Sequence, residues 1–196
     1  MEEPDRKFLT LAFLCVFVAG ACGALQGRLA SAIACGRTAT NTKESEYQVK
    51  AAFLYHFAKL TRWPDSAFKT RASAFVIAIV GKDPFGADLD RTLSRKMIDN
   101  RKIEIRRLEI VDDVGEAHLL FVGSMEKRDL ESVLRRVERR PVLLVGETRN
   151  FARSTGMIGL LVEKKRVRFE INTRAAREAG LRFSSELLKL ARVIGG

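Results

Sequence analysis

The chain has 196 residues, 46% of them hydrophobic and 30% charged, with four prolines and no low-complexity tract, which is enough apolar sequence for one globular domain with its own core. Its net charge of +11 comes from 35 basic and 24 acidic residues, but acids are interleaved with the bases on nearly every element and no run of aromatics accompanies them, which argues against nucleic acid as a partner. All three cysteines, Cys15, Cys22 and Cys35, fall in the first 35 residues, so an internal disulfide, thiol catalysis and a cysteine metal site are excluded from the rest of the chain.

Arg6 and Lys7 precede residues 8–18, which are apolar apart from Thr10, and small residues follow. A charged start, a short apolar core and a small-residue cleavage site are the three parts of a secretory signal, and the run is too short to span a bilayer. Two triplets compete as the cut, Ala19-Gly20-Ala21 before Cys22 and Ala32-Ile33-Ala34 before Cys35. The reading is a leader over residues 1–34 removed on export, a flexible polar lead-in over 35–43, and a single domain over 44–196. Lipid anchoring at Cys22 is the lesser alternative, because Ala19 is a poor match for the larger aliphatic residue usual there. Cleavage removes three bases and three acids, leaves the charge at +11, and leaves nothing that would insert directly into a membrane.

From Glu44 a helix is predicted, with Val49, Ala52, Phe53, Phe57 and Leu60 on one stripe and Lys50 and Lys59 off it. Trp63-Pro64 ends it, with Trp63 a packing anchor first and a contact residue second. His56 reads as a hydrogen-bonded histidine at the core edge. Residues 74–80 are continuous and β-branched, the pattern of a central strand covered on both faces. The turn that follows, Gly81-Lys82-Asp83-Pro84-Phe85-Gly86, lacks the spacing of a phosphate loop; Asp83 is expected to cap a helix whose Phe85, Leu89 and Leu93 face inward.

A turn at Asp99-Asn100 leads to a strand over 102–109, and a short buried strand over 118–122 contains His118. A helix carrying Leu130, Val133, Leu134 and Val137 follows, with Arg135, Arg136, Arg139 and Arg140 on its solvated side. Pro141 stops it before a buried strand ending at Gly146. Residues 147–155 read as a polar loop. Residues 156–172 then read as two strands joined by the turn Glu163-Lys164-Lys165, with Val167, Phe169 and Ile171 alternating against exposed Arg166, Arg168 and Glu170. Asn172 stands at an N-cap position and Gly180 at a helix end.

Strand and helix in alternation predict an α/β fold: a three-layer α/β/α arrangement with a mainly parallel sheet and a C-terminal antiparallel hairpin at one side, since the turn after Val162 is too short for a parallel crossover. The loops 81–86, 123–125 and 147–156 leave strands at their carboxyl ends, the usual place for a binding crevice. No catalytic constellation, metal-ligand spacing or cofactor motif emerges. The candidate partner contacts are Phe151 and Arg153, an aromatic and an arginine of the kinds enriched at hot spots, followed by Trp63, Arg168 and Glu170.

Six motifs in order carry a resemblance. They are the helix 49–59 running into Trp63-Pro64, the G-x-D-P-F-G turn at 81–86, Gly156-Met157-Ile158, Arg168-Phe169-Glu170-Ile171-Asn172, Gly180-Leu181, and the run from Ser184 to Ala191. With the leader, they make the chain resemble the YfiR/HmsC family of bacterial periplasmic proteins over about residues 44–193. The resemblance implies a regulator and not an enzyme: one that binds and inhibits the periplasmic sensor region of an inner-membrane diguanylate cyclase, lowering cyclic di-GMP and biofilm formation, with a homodimer left open. Disulfide-based control does not carry over, because no cysteine follows Cys35. The alternative is a periplasmic small-ligand receptor or a hydrolase using the crevice at the strand carboxyl ends.

Overall fold

A computed structural model describes residues 37–108, 114, 116–154 and 156–195; the expected leader and both of its cut sites lie outside the described residues. In chain order the elements are α1 (Arg37–Lys59), β1 (Thr61–Arg62), a 3-10 turn at Asp65–Ala67, β2 (Phe75–Val80), α2 (Ala87–Leu93), β3 (Met97–Ile98), β4 (Arg101–Leu108), β5 (Leu119–Val122), α3 (Lys127–Val137), β6 (Leu143–Gly146), α4 (Phe151–Ser154), β7 (Ile158–Glu163), β8 (Arg166–Asn172), α5 (Thr173–Glu178), β9 (Arg182–Phe183), α6 (Ser185–Leu190) and β10 (Arg192–Ile194).

Eight strands form one sheet in the order β10-β8-β7-β6-β5-β2-β4-β3. The pairings are parallel except β7 with β8 and β3 with β4. The central strands β2, β5 and β6 are buried along their whole length, as their unbroken apolar runs require. The chain steps from β2 to β4 in one direction across the sheet and from β5 through β6 to β7 in the other. Right-handed crossovers therefore put α2 on one face and α3 and α4 on the opposite one. Helix α1 packs against α2 and completes the three layers. A separate two-stranded sheet pairs β1 with β9 in antiparallel fashion.

Several expectations shift. Helix α1 begins at Arg37, so residues 37–43, read as a lead-in, form its first turns. Its fully buried positions are Ala51, Leu54, Phe57 and Ala58, while Val49 is exposed, so the inward face is rotated from the predicted stripe. The cause is Lys50, which is buried because its Nζ meets Glu46 at 2.5 Å and Glu147 at 2.7 Å; a fully paired charge can turn inward. His56, expected at the core edge, is exposed. The helix closes where Thr61 Oγ1 donates to the Phe57 carbonyl at 2.7 Å.

Asp83 does not cap α2. It accepts from the Phe85 N–H at 2.7 Å and braces the turn ahead of the helix, whose N-cap position is Gly86 with φ +51°. The inward set Phe85, Leu89 and Leu93 stands as read.

The hairpin connection is two residues long, not three. Lys164 and Lys165 both lie in the left-handed region, φ 49° and 62°, the arrangement that matches the twist of the flanking strands. Glycine and asparagine usually occupy such turns, and two lysines there cost on the order of 1 kcal/mol each. Nor is the hairpin the edge of the sheet, because β10 returns beyond β8 and pairs with it in parallel from Arg192 opposite Glu170 to Ile194 opposite Asn172.

Asn172 caps α5 as expected, its Oδ1 accepting from Ala175 N–H at 3.1 Å, and its Nδ2 also donates to the Ala152 carbonyl at 3.0 Å, tying α4 to the end of β8. Replacing Asn172 by Ala removes both bonds and should cost about 1–2 kcal/mol in urea unfolding, whereas Asn172→Asp keeps the cap acceptor and should lose less.

Candidate functional site

The segment 147–156, expected as a polar recognition loop, folds inward. Phe151 opens the short helix α4 and is 3% exposed. Two glycines make its place: a Cβ on Gly156 would lie 2.0 Å from Phe151 Cε1, and one on Gly146 would lie 2.8 Å from Phe151 Cδ2. Phe151 is thus a core residue and is not available at the surface as a contact. Its polar neighbours in sequence concealed this, because a four-residue helix is too short to show a periodic apolar stripe.

Arg153, on the same helix, reaches across to β8 and holds Glu170 with both arms of its guanidinium, Nη2 to Oε1 at 2.9 Å and Nε to Oε2 at 3.1 Å. Glu170, read as exposed, is 7% exposed. Arg192 at the start of β10 adds Nη1 to Glu170 Oε1 at 3.3 Å and Nη2 to Glu163 Oε1 at 3.1 Å. The fork from Arg153 first, and Arg192 after it, hold the Glu170 carboxyl below the usual carboxylate range. The structure therefore brings Arg153 and Glu170 together as one ion pair, joins Arg192 to them, and leaves Arg168 exposed beside them. Arg192 was missed at the sequence level; it sits in a three-residue strand near the terminus with no alternation to mark it.

Trp63 stands apart from this group. It is half-buried and packs edge-on against Phe75 with ring centroids 5.0 Å apart, the anchor reading.

The three loops at the strand carboxyl ends fill their own crevice. Lys82 and Ser124 form a backbone bridge, and a Cβ on Gly123 would lie 2.1 Å from the Lys82 carbonyl oxygen. Phe85 stands edge-on to Phe121 at 4.7 Å and to Tyr47 of α1 at 5.7 Å, while Lys50 of α1 closes on Glu147. Arg107 fixes the outer side of the turn, Nε to Asp83 Oδ2 at 2.7 Å and Nη2 to the Gly86 carbonyl at 2.7 Å.

A cleft of about 710 Å³ opens instead beside the amino ends of β2, β5 and β6, lined in part by Lys69, Glu104, Arg106, Glu116 and His118. His118 is 7% exposed and sandwiched between Phe68 at 4.4 Å and Phe75 at 5.1 Å. Its Nδ1 accepts from Val76 N–H at 3.1 Å, which assigns the proton to Nε2, and that nitrogen donates to the Ala67 carbonyl at 3.1 Å. Burial also pushes its pKa down, which favours the neutral ring, and both nitrogens are engaged in hydrogen bonds within the fold. Around it Lys69 and then Arg106 hold Glu116 down to about 2, and Arg106 also pairs with Glu104 at 2.7 Å. The cations and acids lining this cleft thus largely satisfy one another. Among the described residues no three His, Cys, Asp or Glu side chains cluster as a metal site.

Layered α/β architecture, loops packed against one another and a C-terminal hairpin braced by a buried carboxylate define the class: a three-layer α/β domain. A family model described as YfiR/HmsC-like matches residues 47–192, and the chain belongs to that family. The family is one of periplasmic regulators of diguanylate cyclases, regulatory rather than catalytic. No curated protein matches the chain. Among the described residues no helix is long and apolar enough to cross a membrane.

Two outcomes test the geometry. Gly156→Ala should destabilise the domain by about 1–3 kcal/mol by pushing against Phe151, and the loss should shrink by about 1 kcal/mol in a Phe151→Leu background; a double-mutant cycle in urea measures this coupling. Glu170→Gln should cost about 1–3 kcal/mol at neutral pH. Because the folded carboxyl titrates below its unfolded value of about 4, its contribution is complete at neutral pH and is lost as pH falls through the folded value. The gap between wild type and Glu170→Gln should therefore close on acidification, as followed by unfolding at a series of pH values.

Proposed function

We propose that this protein binds the periplasmic sensor region of an inner-membrane diguanylate cyclase and inhibits it, so that cyclic di-GMP and biofilm formation fall. The observation that carries the reading is the family match over residues 47–192, which spans every element from the second half of α1 to the start of β10. The organisation of the domain supports it: its buried charges are paired with one another, while an ordered hairpin reaches the surface.

Inhibition by a bound protein requires differential affinity. A regulator that bound the active and inactive arrangements of the sensor equally would change nothing, and moving a sensor from almost wholly active to almost wholly inactive needs about 5.5 kcal/mol of preference. A pre-formed surface held by packing and ion pairs suits that task, since little ordering is required on binding. Of the candidate contacts, Arg168 and the outer part of Arg153 lie at the surface. Glu170 and Phe151 act beneath it as supports, and Trp63 is an anchor.

The chain without residues 1–34 should co-elute with the isolated periplasmic region of a diguanylate cyclase from the same organism, and the elution volume alone reports whether it dimerises. Deletion of the gene should raise cellular cyclic di-GMP. Unchanged dinucleotide levels on deletion, together with separate elution, would overturn the reading.

A further inference from the structure

The β7–β8 hairpin outruns the sheet. On one side β6 pairs with β7 only as far as Gly159, and on the other β10 begins opposite Glu170. Residues 160–163 and 166–169 therefore extend as a two-stranded arm about 13 Å past the last strand on either side, at roughly 3.3 Å per residue.

Its root is fixed on both faces. Phe169 packs on Phe57 at 4.9 Å and Phe53 at 5.3 Å, and on the opposite face Arg153 and Arg192 hold Glu170. The arm itself is two-faced, because strand residues alternate and the pairing puts Leu160 opposite Phe169 and Val162 opposite Val167, with Leu161 opposite Arg168 and Glu163 opposite Arg166. One face is apolar and open at Val162, 48% exposed; the other carries Arg166 and Arg168, and Lys164 and Lys165 form the tip.

The arm's acid is already taken, since Glu163 is paired with Arg192. Among the described residues Lys164, Lys165, Arg166 and Arg168 have no acidic partner, so the arm carries a local excess of positive charge.

We propose that the outer edge of β8 at residues 166–169 is the docking site for an extended segment of a partner protein in which acidic and apolar residues alternate. Along that edge Arg166 and Arg168 point to one face while Val167 and Phe169 point to the other. An added strand of this pattern sets carboxylates beside the arginines and apolar side chains beside Val167, and its backbone completes a ladder that ends abruptly at Glu170. The same cations repel a second copy of this edge, which disfavours pairing of the chain with itself there. Lipid headgroups cannot complete a backbone ladder, and the tip has no aromatic residue to seat in a bilayer interface. Identifying the partner with the cyclase rests on the function proposed above; the recognition chemistry does not.

The test uses a blocked decapeptide of alternating glutamate and valine, titrated into isotope-labelled protein, beside a peptide of the same composition with the glutamates and valines in two blocks. The alternating peptide should bind more tightly and protect the amides of residues 166–169 from exchange. Arg166→Gln with Arg168→Gln should weaken it roughly tenfold, while Arg135→Gln with Arg139→Gln on the α3 side, which removes the same charge, should not. Equal binding of the block peptide, equal weakening by the α3 pair, or protection elsewhere would overturn the site. So would loss of binding to phosphatidylglycerol vesicles, and not to peptide, in the Arg166/Arg168 variant. Neither peptide enters the cyclase co-elution, so failure here leaves the regulator reading standing, and failure there leaves this site standing.

Discussion

Two consecutive residues of β8 tie the layers together. Phe169 points to one face and is gripped by Phe53 and Phe57 of α1; Glu170 points to the other and is gripped by Arg153 of α4. A strand can do this only because successive side chains leave its opposite faces. The two grips differ in kind. Burying each phenyl ring is worth about 1.5–3 kcal/mol and tolerates small displacements. The carboxylate is buried at a cost that only close, well-aligned partners offset, so it stabilises one geometry and penalises its neighbours. That second grip adds to what places α4 and β10, beside the Phe151 slot, the Asn172 bond to Ala152 and the β8–β10 ladder.

Much of this organisation was legible in the sequence because the central strands announce themselves. Residues 75–80, 119–122 and 143–146 are apolar without interruption, and the elements between them keep helical spacing, so the layered fold follows from pattern alone. The hairpin was legible for the same reason, although two lysines in the turn residues disguised its length. What escaped were positions where a charge turns inward. Glu170 occupies a polar place in a period-two strand, and Lys50 an off-stripe place in a helix. Each is buried because a counter-charge arrives from another element, Arg153 of α4 in one case and Glu147, beside the local Glu46, in the other. Local periodicity contains no term for a partner 97 residues away.

Of the candidate contacts, Arg153 and Arg168 reach the surface as expected of them, but Phe151 was assigned to the surface because its flanking residues are polar; the signal of its burial lay in Gly146 and Gly156, which read locally as a strand end and a strand start and in space are two walls of one aromatic slot. Arg192 left no signal, since a strand of three residues shows no period. At the other end of the sheet, His118 is a histidine whose hydrogen bonds and stacking rings account for it fully, so its burial speaks of packing and not of chemistry.

The pairing of Lys50 with Glu147 and of Phe53 with Phe169 also says something about the order in which the domain can assemble. Both contacts join the beginning of the chain to its last third, so the loop that must close includes most of the strands between. Helix α1 meets α2 through nearer contacts, but the part of its inner face that packs on Phe169 stays open until the last third of the chain is in place. Such long-range closure slows folding relative to a chain with local contacts.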